Sequence, residues 1–503
     1  MATATYPTAG SSCEDAEVVP HDHRPVIITS SLAATGILLA LVTMALFAVW
    51  LRNRPFRAAF RIQARRDDAC TCRGSQQSLS VSLGRDGFEL PPVTDGSAQT
   101  AFLVLHVQST WLGRFCDPFI EVRHGHGCYR QYFERGVAGQ RHLNLSPVFP
   151  GGGGVTQARV SLRGRWLRWR REATLSLFAP PPIDGARVLV LASHPDDAEI
   201  GAFGMYAGGQ SWVTTLTAGA GGVANLSSVV PGADTARWSA NLRGWDSLTV
   251  PQLAGTPRER CVNLVQPDGQ LQNMYDEPAR PFHIACEQSL SRSVLRTRNG
   301  SVEFQGGDPG CTWTGLIDDL RRLIEKADPD IVVSPHPLID GHHDHVYTTV
   351  ALEEAVRQLP AKPRRFFLYV VHRRGVPLYP FGSADALVSL PPWTDGEWLA
   401  DSIYSHPLPP DTQRGKYFAI EAMHDLRTYQ PGAPRSLRQV MTTVWRELSA
   451  LVGGIGLPVG SFLRRAARPN EIYWVVSEGS LSELVRRAVA GSSTARARGE
   501  ASK

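Results

Sequence analysis

Two short segments of this chain are rich in histidine and aspartate. The first reads SHPDDAEIG and covers residues 193–201, and the second reads HPLIDGHHDH and covers residues 336–345. Only 15 of the 503 residues are His, yet the second segment alone holds four of them. Imidazole and carboxylate groups are common zinc ligands, and a catalytic zinc site generally uses three protein ligands and leaves a position for water. The two segments together therefore predict a catalytic metal site.

The adjacent carboxylates Asp196 and Asp197 could divide the catalytic work. Successive side chains of an extended turn point in different directions, so one carboxylate can bind a metal while its neighbour acts as a general base. The second segment would add an imidazole ligand, and a further histidine that stabilises an oxyanion or protonates a leaving amine. The competing interpretation is a set of surface-loop histidines beside a helix that is capped by Asp.

Both segments directly follow short apolar runs of the kind found in buried parallel strands. VLVLAS covers residues 188–193, and DIVVS covers residues 330–334. Apolar residues with helical spacing precede the second run, at residues 316–327, and follow it, at residues 347–359. This alternation predicts an α/β fold with a Rossmann-like, doubly wound, mostly parallel sheet over residues 185–480. Ligands are expected at the carboxyl ends of its strands.

The region before this domain has a different pattern. Between residues 76 and 181, short apolar runs alternate with Gly, Pro and Asp, which predicts a small antiparallel β-sandwich domain. Within it, WLRWRR at residues 166–171 suits carbohydrate binding, because aromatic rings can stack on sugars. The alternative for this segment is an amphipathic strand with one buried face. Glycan binding by the sandwich is therefore a hypothesis.

One segment is far more apolar than the chain as a whole, whose mean hydropathy is −0.16. Residues 26–51 carry no charge, and a helix of that length exceeds the hydrocarbon core of about 30 Å. We expect an uncleaved transmembrane helix there, after a tail over residues 1–25 and before a basic juxtamembrane linker over residues 52–75. One Arg precedes this helix and six follow it, which predicts a single-pass membrane protein with a cytoplasmic catalytic domain. Residues 481–503 are expected to be a C-terminal tail.

The charge of the chain excludes one class of partner. The chain has 52 Lys and Arg against 47 Asp and Glu, which gives a net charge of +5. A nucleic-acid-binding protein would show a basic face or stripe, so no nucleic-acid partner is expected. The eight Cys are scattered without a CxxC pair, and we interpret them as mostly reduced and structural.

The two polar segments resemble the motifs of a known family. SHPDDAEIGAFG, followed by PDIVVSPHPLIDGHHDHV, resembles the PIG-L (LmbE-like) family of zinc-dependent N-acetylglucosamine deacetylases. These proteins carry an AHPDD motif after their first strand and an HxxH motif later, and the resemblance covers about residues 185–480. It implies that Zn²⁺ would be bound by His194, Asp197 and His345.

The resemblance also implies roles for other residues. Asp196 would be the general base, His342 would stabilise the tetrahedral oxyanion, and Asp344 would orient or charge a catalytic imidazole. Some family members carry a Tyr two residues before the first His of HxxH, and this chain has Asp340 there. The positions that resemble the sugar- or phosphate-binding residues of the family are Arg237, Arg243 and Asp268.

The motifs and the apolar segment together predict a function. We expect a membrane-anchored, zinc-dependent hydrolase of a linear amide bond that removes the acetyl group from an N-acetylated amino sugar. Since the helix at residues 26–51 would keep the site near a membrane, the substrate is expected to be lipid-linked or part of a cell-envelope glycan. One alternative is a deacetylase of a soluble N-acetylglucosamine conjugate, such as a thiol precursor. The other is a non-catalytic, membrane-tethered glycan-binding protein.

Overall fold

The chain divides into two compact units, Met1–Ala58 and Ala59–Lys503, and each is described by itself. In the first unit, residues 36–45 form a helix. The computed structural model describes residues 36–45, 67–68, 74–92, 98–114, 116–125, 127–149, 159–208, 210–221, 234–307, 310–376, 378–392, 400–426 and 465–497.

The predicted transmembrane helix over residues 26–51 is wrong. Of that stretch the structure describes only the helical residues 36–45, and the remainder lies outside the described residues. Among the described residues, no helix has both the length and the apolar character needed to cross a membrane. The prediction of a single-pass membrane protein is therefore wrong as well. The charge-based prediction of a cytoplasmic catalytic domain depended on the same helix and has no further support.

The second unit begins with eight strands in two antiparallel sheets. The strands are β1 (Gln77–Ser82), β2 (Gly87–Glu89), β3 (Thr100–Ser109), β4 (Phe119–His124), β5 (Gly127–Tyr132), β6 (Ala138–Asn144), β7 (Arg159–Arg165) and β8 (Leu167–Phe178). The strand orders are β1-β8-β3-β6 and β2-β7-β4-β5. Every pairing in both sheets is antiparallel.

Alternation of apolar and polar residues along these strands gives the two sheets a shared core. Leu103 of β3, Ile120 of β4 and Leu175 of β8 are fully buried in it. Trp169 of β8 packs against the same core, and its Nε1 donates a hydrogen bond to the carbonyl oxygen of Gly84 at 3.3 Å. The WLRWRR segment thus supplies Leu167, which is buried in this core, as well as Trp169, and glycan binding by this region stays a hypothesis.

A mixed sheet of seven strands follows. Its strands are β9 (Val188–Ala192), β10 (Trp212–Thr217), β11 (Cys261–Gln266), β12 (Ile331–Pro335), β13 (Arg365–Tyr369), β14 (Ser402–Pro407) and β15 (Asn470–Val476). They lie in the order β11-β10-β9-β12-β13-β15-β14. The pairings from β11 to β13 are parallel, and both pairings of β15 are antiparallel. The parallel part contains the two strands that precede the polar segments.

Helices cover both faces of this sheet. They are α1 (Asp197–Gly201), α2 (Phe203–Tyr206), α3 (Thr235–Thr249), α4 (Leu271–Asp276), α5 (Arg292–Arg296), α6 (Trp313–Ala327), α7 (His343–Arg357), α8 (Pro410–Ala422) and α9 (Glu478–Ala497). Leu191 of β9 shares one core with Leu320 of α6, and Val190 shares the opposite core with Ile420 of α8. Leu484, in the predicted C-terminal tail, is buried in the first core, so that segment begins inside a packed helix.

Two buried amides join the sandwich to the edge of the mixed sheet. Asn144, the last residue of β6, donates from Nδ2 to Val388 O at 2.8 Å and to Ser405 Oγ at 3.0 Å. Asn470, the first residue of β15, donates to the same two acceptors, at 3.0 Å each. Because these groups are buried, breaking the junction would leave polar atoms without water or a partner.

Replacing Asn144 by Ala is expected to lower the free energy of unfolding by about 1–3 kcal/mol. Asn144 Oδ1 accepts from the backbone N of Ser146 at 2.9 Å and from its Oγ at 2.6 Å, and both donors would lose that acceptor. Guanidinium titration followed by circular dichroism measures the change. Asn273→Ala, at an exposed position, is the control and should stay within about 0.5 kcal/mol of the unmodified chain. Equal stabilities of the two variants would contradict the prediction.

Candidate active site

Three neighbouring parallel strands carry the imidazoles of the site at their carboxyl ends. His194 follows β9, His342 and His345 follow β12 at the start of α7, and His372 follows β13. Because β9, β12 and β13 are adjacent and parallel, these side chains meet at one edge of the sheet. The ring centroid of His345 lies 5.2 Å from that of His194, 5.0 Å from His342 and 5.4 Å from His372.

The three residues predicted to bind a metal bring their donor atoms together. His194 Nδ1 lies 3.3 Å from Asp197 Oδ2, and His345 Nε2 lies 3.1 Å from the same oxygen. The two imidazole nitrogens are 3.2 Å apart. His345 and Asp197 are buried, and His194 is mostly so. One carboxylate oxygen and two ring nitrogens thus point at a common space.

A second carboxylate lies behind each of these imidazoles. His194 Nε2 is 3.1 Å from Asp344 Oδ2, and His345 Nδ1 is 3.0 Å from Asp340 Oδ1. Burial would lower the pKa of His194, but Asp197 and Asp344 raise it to about 10. The carboxylates therefore stabilise positive charge in this space and fix which ring nitrogen faces it.

Backbone amides hold the two outer carboxylates in place. Gly269 N donates to Asp344 Oδ2 at 2.6 Å. Val371 N and His372 N donate to Asp340 Oδ2 at 2.8 and 3.1 Å. Burial would raise the pKa of Asp340, but the neighbouring imidazoles and these amides lower it to about 2. Asp340, which stands where some family members have Tyr, is thus an ionised partner of His345.

The adjacent carboxyl groups Asp196 and Asp197 differ in their pKa. Burial raises the pKa of Asp196 well above its usual range, and the charges of Asp425 and Asp197 raise it further. Burial acts in the same direction on Asp197, but His345 and His194 hold its pKa well below the usual range. One carboxyl group is therefore kept ionised between imidazoles, while its neighbour readily holds a proton.

Arg243 of α3 links Asp196 to a carboxylate from another part of the chain. Its Nη2 lies 3.4 Å from Asp196 Oδ1 and 2.7 Å from Asp425 Oδ2. Both carboxyl groups and the guanidinium are largely buried. Arg243 thus offsets the repulsion between the two carboxylates and fixes the orientation of Asp196.

His342 presents a neutral imidazole to the site. Its Nδ1 accepts a hydrogen bond from Asp344 N at 3.1 Å, so the ring proton is assigned to Nε2. Burial, together with the neighbouring His194 and His345, lowers the pKa of His342 to about 4. Its ring centroid is 4.5 Å from that of His194. An Nε2–H donor in this position can bind a developing oxyanion.

Comparison with protein families bears on this arrangement. Residues 189–356 match the model of the PIG-L family, described as GlcNAc-PI de-N-acetylase. This segment is a PIG-L domain. The match begins in β9 and ends in α7, so it contains both polar segments, and the family predicted from the sequence is confirmed. Members of the family are deacetylase hydrolases.

Whole-chain comparisons add little to the PIG-L match. No curated protein matches the chain. GalB, the 4-carboxy-2-hydroxymuconate hydratase from Pseudomonas putida, is a solved structure with 15% identity and a TM-score of 0.26, over 58% of this chain and 95% of its own. A mutant xylanase 10C from Cellvibrio japonicus in complex with xylopentaose has 11% identity and a TM-score of 0.14, over 57% of this chain and 59% of its own. TM-scores this low carry no argument.

The three predicted substrate-binding residues of the PIG-L domain lie in different surroundings. Arg243 is buried against Asp196, as described above. Asp268 accepts hydrogen bonds from Gly219 N at 3.1 Å and Ala220 N at 2.8 Å, and so holds the loop after β10. Arg237 is exposed in the first turn of α3. Substrate contact by any of the three stays a prediction.

Two of the four histidines in the second polar segment of the PIG-L domain lie outside the cluster. His336 is buried, and its Nδ1 accepts from Leu338 N at 3.2 Å and Ile339 N at 3.3 Å, which shapes the turn after β12. Burial lowers the pKa of His336 to about 3. His343 is exposed at the start of α7. The high local content of His therefore overstates the number of imidazoles at the site.

Sequence reasoning missed His372 and Asp425. Both lie beyond residue 356, where the PIG-L match ends. A signal for His372 was present, because it follows the apolar run RFFLYVV at residues 365–371, as the polar segments follow similar runs. Asp425 follows α8 and carried no comparable signal, since only the packing of α8 brings it to Arg243.

Proposed function

We propose that this protein is a metal-dependent N-deacetylase that hydrolyses the acetamide of an N-acetylated amino sugar. The observation that carries the proposal is the convergence of His194, Asp197 and His345 beside the carboxyl group of Asp196. Amide hydrolysis needs an electrophile for the carbonyl and a base for the attacking water, and this arrangement offers a place for both. The PIG-L domain supports the reaction class.

The three donor atoms fit a zinc ion. Tetrahedral zinc binds nitrogen and oxygen at about 2.0–2.1 Å, which sets its ligand atoms roughly 3.3–3.4 Å apart. The three separations between the donors of His194, Asp197 and His345 are 3.1, 3.2 and 3.3 Å. These residues would hold the ion, with Asp344 and Asp340 as outer partners of the two imidazoles. When bound, zinc supplies a Lewis acid for the amide carbonyl and lowers the pKa of a water molecule.

The residues around this position divide the proton transfers. Asp196, oriented by Arg243, accepts the proton of the water that attacks the acetamide carbonyl. His342 donates from Nε2 to the oxygen of the tetrahedral intermediate. The proton on Asp196 then passes to the nitrogen as the C–N bond breaks, which gives a free amine and acetic acid, and the acid loses its proton to become acetate. The raised pKa of Asp196 suits a group that must carry a proton between these two steps.

The substrate is proposed at the level of an N-acetylated amino sugar. The sequence-based expectation of a lipid-linked substrate depended on the transmembrane helix, which is wrong. A soluble N-acetylglucosamine conjugate and a lipid-linked one present the same acetamide to the site. The aglycone therefore has to be found by experiment. A glycan-binding protein without catalysis is disfavoured, because binding alone needs no buried base beside three metal-ligand donors.

Acetate release tests the proposal directly. The full chain, loaded with Zn²⁺, is incubated with N-acetylglucosamine conjugates that are soluble and with others that are detergent-solubilised and lipid-linked. We expect equal amounts of acetate and free amine from at least one set, and loss of both after treatment with a chelator. The proposal fails if the zinc-loaded chain releases no acetate from either set.

A further inference from the structure

His372 offers a metal-ligand atom that the proposed ligand set does not use. The donor atoms of Asp197, His345 and His372 all lie within 4.8 Å of one another. Two of these three residues are also ligands in the proposed set of His194, Asp197 and His345. This set and the proposed set therefore differ only in one imidazole, and the donor atoms of His194, His342 and His345 form a further group of three among the described residues.

The backbone holds His372 next to the metal-ligand segment. Gly341 N donates to His372 O at 2.6 Å, and Arg374 N donates to Ile339 O at 3.2 Å. His372 N in turn donates to Asp340 Oδ2 at 3.1 Å. These bonds tie the turn after β13 to the turn after β12, so the position of the His372 ring beside His345 is built into the fold.

We propose that His372 is a fourth metal-ligating side chain of this centre. With Asp197 and His345 it forms a second donor set, which can retain the ion when His194 is lost. Two imidazoles and one carboxylate suit Zn²⁺ and related divalent transition metals. The inference rests on the proposed function for the presence of a metal, but it concerns which residues hold the ion and not which bond is hydrolysed.

The two sets make a distinct prediction for metal affinity. If either His194 or His372 can complete the site, each single Ala variant keeps one zinc ion per chain with weakened binding. The double variant His194→Ala, His372→Ala should lose more affinity than the product of the two single losses, by at least about tenfold, because coupled residues are not additive. His343→Ala, an exposed imidazole nearby, should bind zinc like the unmodified chain.

The experiment measures zinc binding to the full chain and not activity. Zinc is removed, and its dissociation constant is then measured for each variant by competition with a chelator. The Co²⁺ absorption spectrum reports the number and type of ligands. His372→Phe, which keeps a planar ring without a donor atom, replaces the Ala variant if circular dichroism shows that the latter is not folded.

The outcomes separate this inference from the proposed function. Complete loss of zinc in His194→Ala, or an unchanged affinity in the His372 variants, overturns the inference and leaves the deacetylase proposal intact. Normal zinc binding without acetate release in the unmodified chain would overturn the proposed function alone. Zinc retained by both single variants and lost by the double variant supports the second donor set.

Discussion

Replacing Asp196 by Asn is expected to slow acetate release by about 10²–10⁴-fold, which is the usual contribution of a positioned general base. Asn has nearly the same shape and can keep the contact with Arg243, but it cannot accept the proton of the attacking water. Asp196 is not one of the three proposed ligands, so zinc should remain bound. The measurement is kcat for acetate release, with zinc content determined by mass spectrometry on the same sample.

Asp385→Asn makes the same chemical change at an exposed carboxylate and is the matched control. It should retain the rate of the unmodified chain. If Asp196→Asn lowers the rate no more than this control does, Asp196 is not the base. Loss of zinc from Asp196→Asn would instead show that the two adjacent carboxylates have been assigned the wrong roles.

Replacing His345 by Ala is expected to abolish zinc binding and acetate release together. His345 is fully buried and belongs to both donor sets, so His372 cannot compensate for its loss. The loss of affinity should exceed the ~10–100-fold that removal of an outer partner typically costs. Its other ring nitrogen lies 3.0 Å from Asp340 Oδ1, so the variant also removes the imidazole that this carboxylate contacts.

Thermodynamic linkage gives a second measurement of the His345 variant. Zinc at 100 times its dissociation constant should raise the unfolding free energy of the unmodified chain by about 2.7 kcal/mol. Addition of the same zinc concentration to His345→Ala should leave its unfolding curve unchanged. A His345→Ala chain that is still stabilised by zinc would show that the ion is held elsewhere. His343→Ala should respond to zinc like the unmodified chain.

Much of the mixed sheet follows from local sequence pattern. The apolar run at residues 188–193 corresponds to β9 (Val188–Ala192), and the run at residues 330–334 corresponds to β12 (Ile331–Pro335). Strands buried on both faces read as continuous apolar runs, so their positions can be found without tertiary information. The transmembrane prediction is the exception, because no helix among the described residues has the length and the apolar character that it requires.

The sequence alone predicted a metal centre in this protein, because the donors of the proposed centre lie in two short segments that directly follow strands. The resemblance of these segments to the PIG-L family implied His194, Asp197 and His345 as the ligands, and the fold brings their donor atoms within 3.3 Å of one another. Both His336 and His345 belong to the second polar segment. Only the tertiary structure showed that His345 lies in the imidazole cluster, whereas His336 is buried in the turn after β12. Only strand order and helix packing brought His372 and Asp425 to the same site. Residue type is local, whereas burial and proximity depend on which strands become neighbours in the folded sheet.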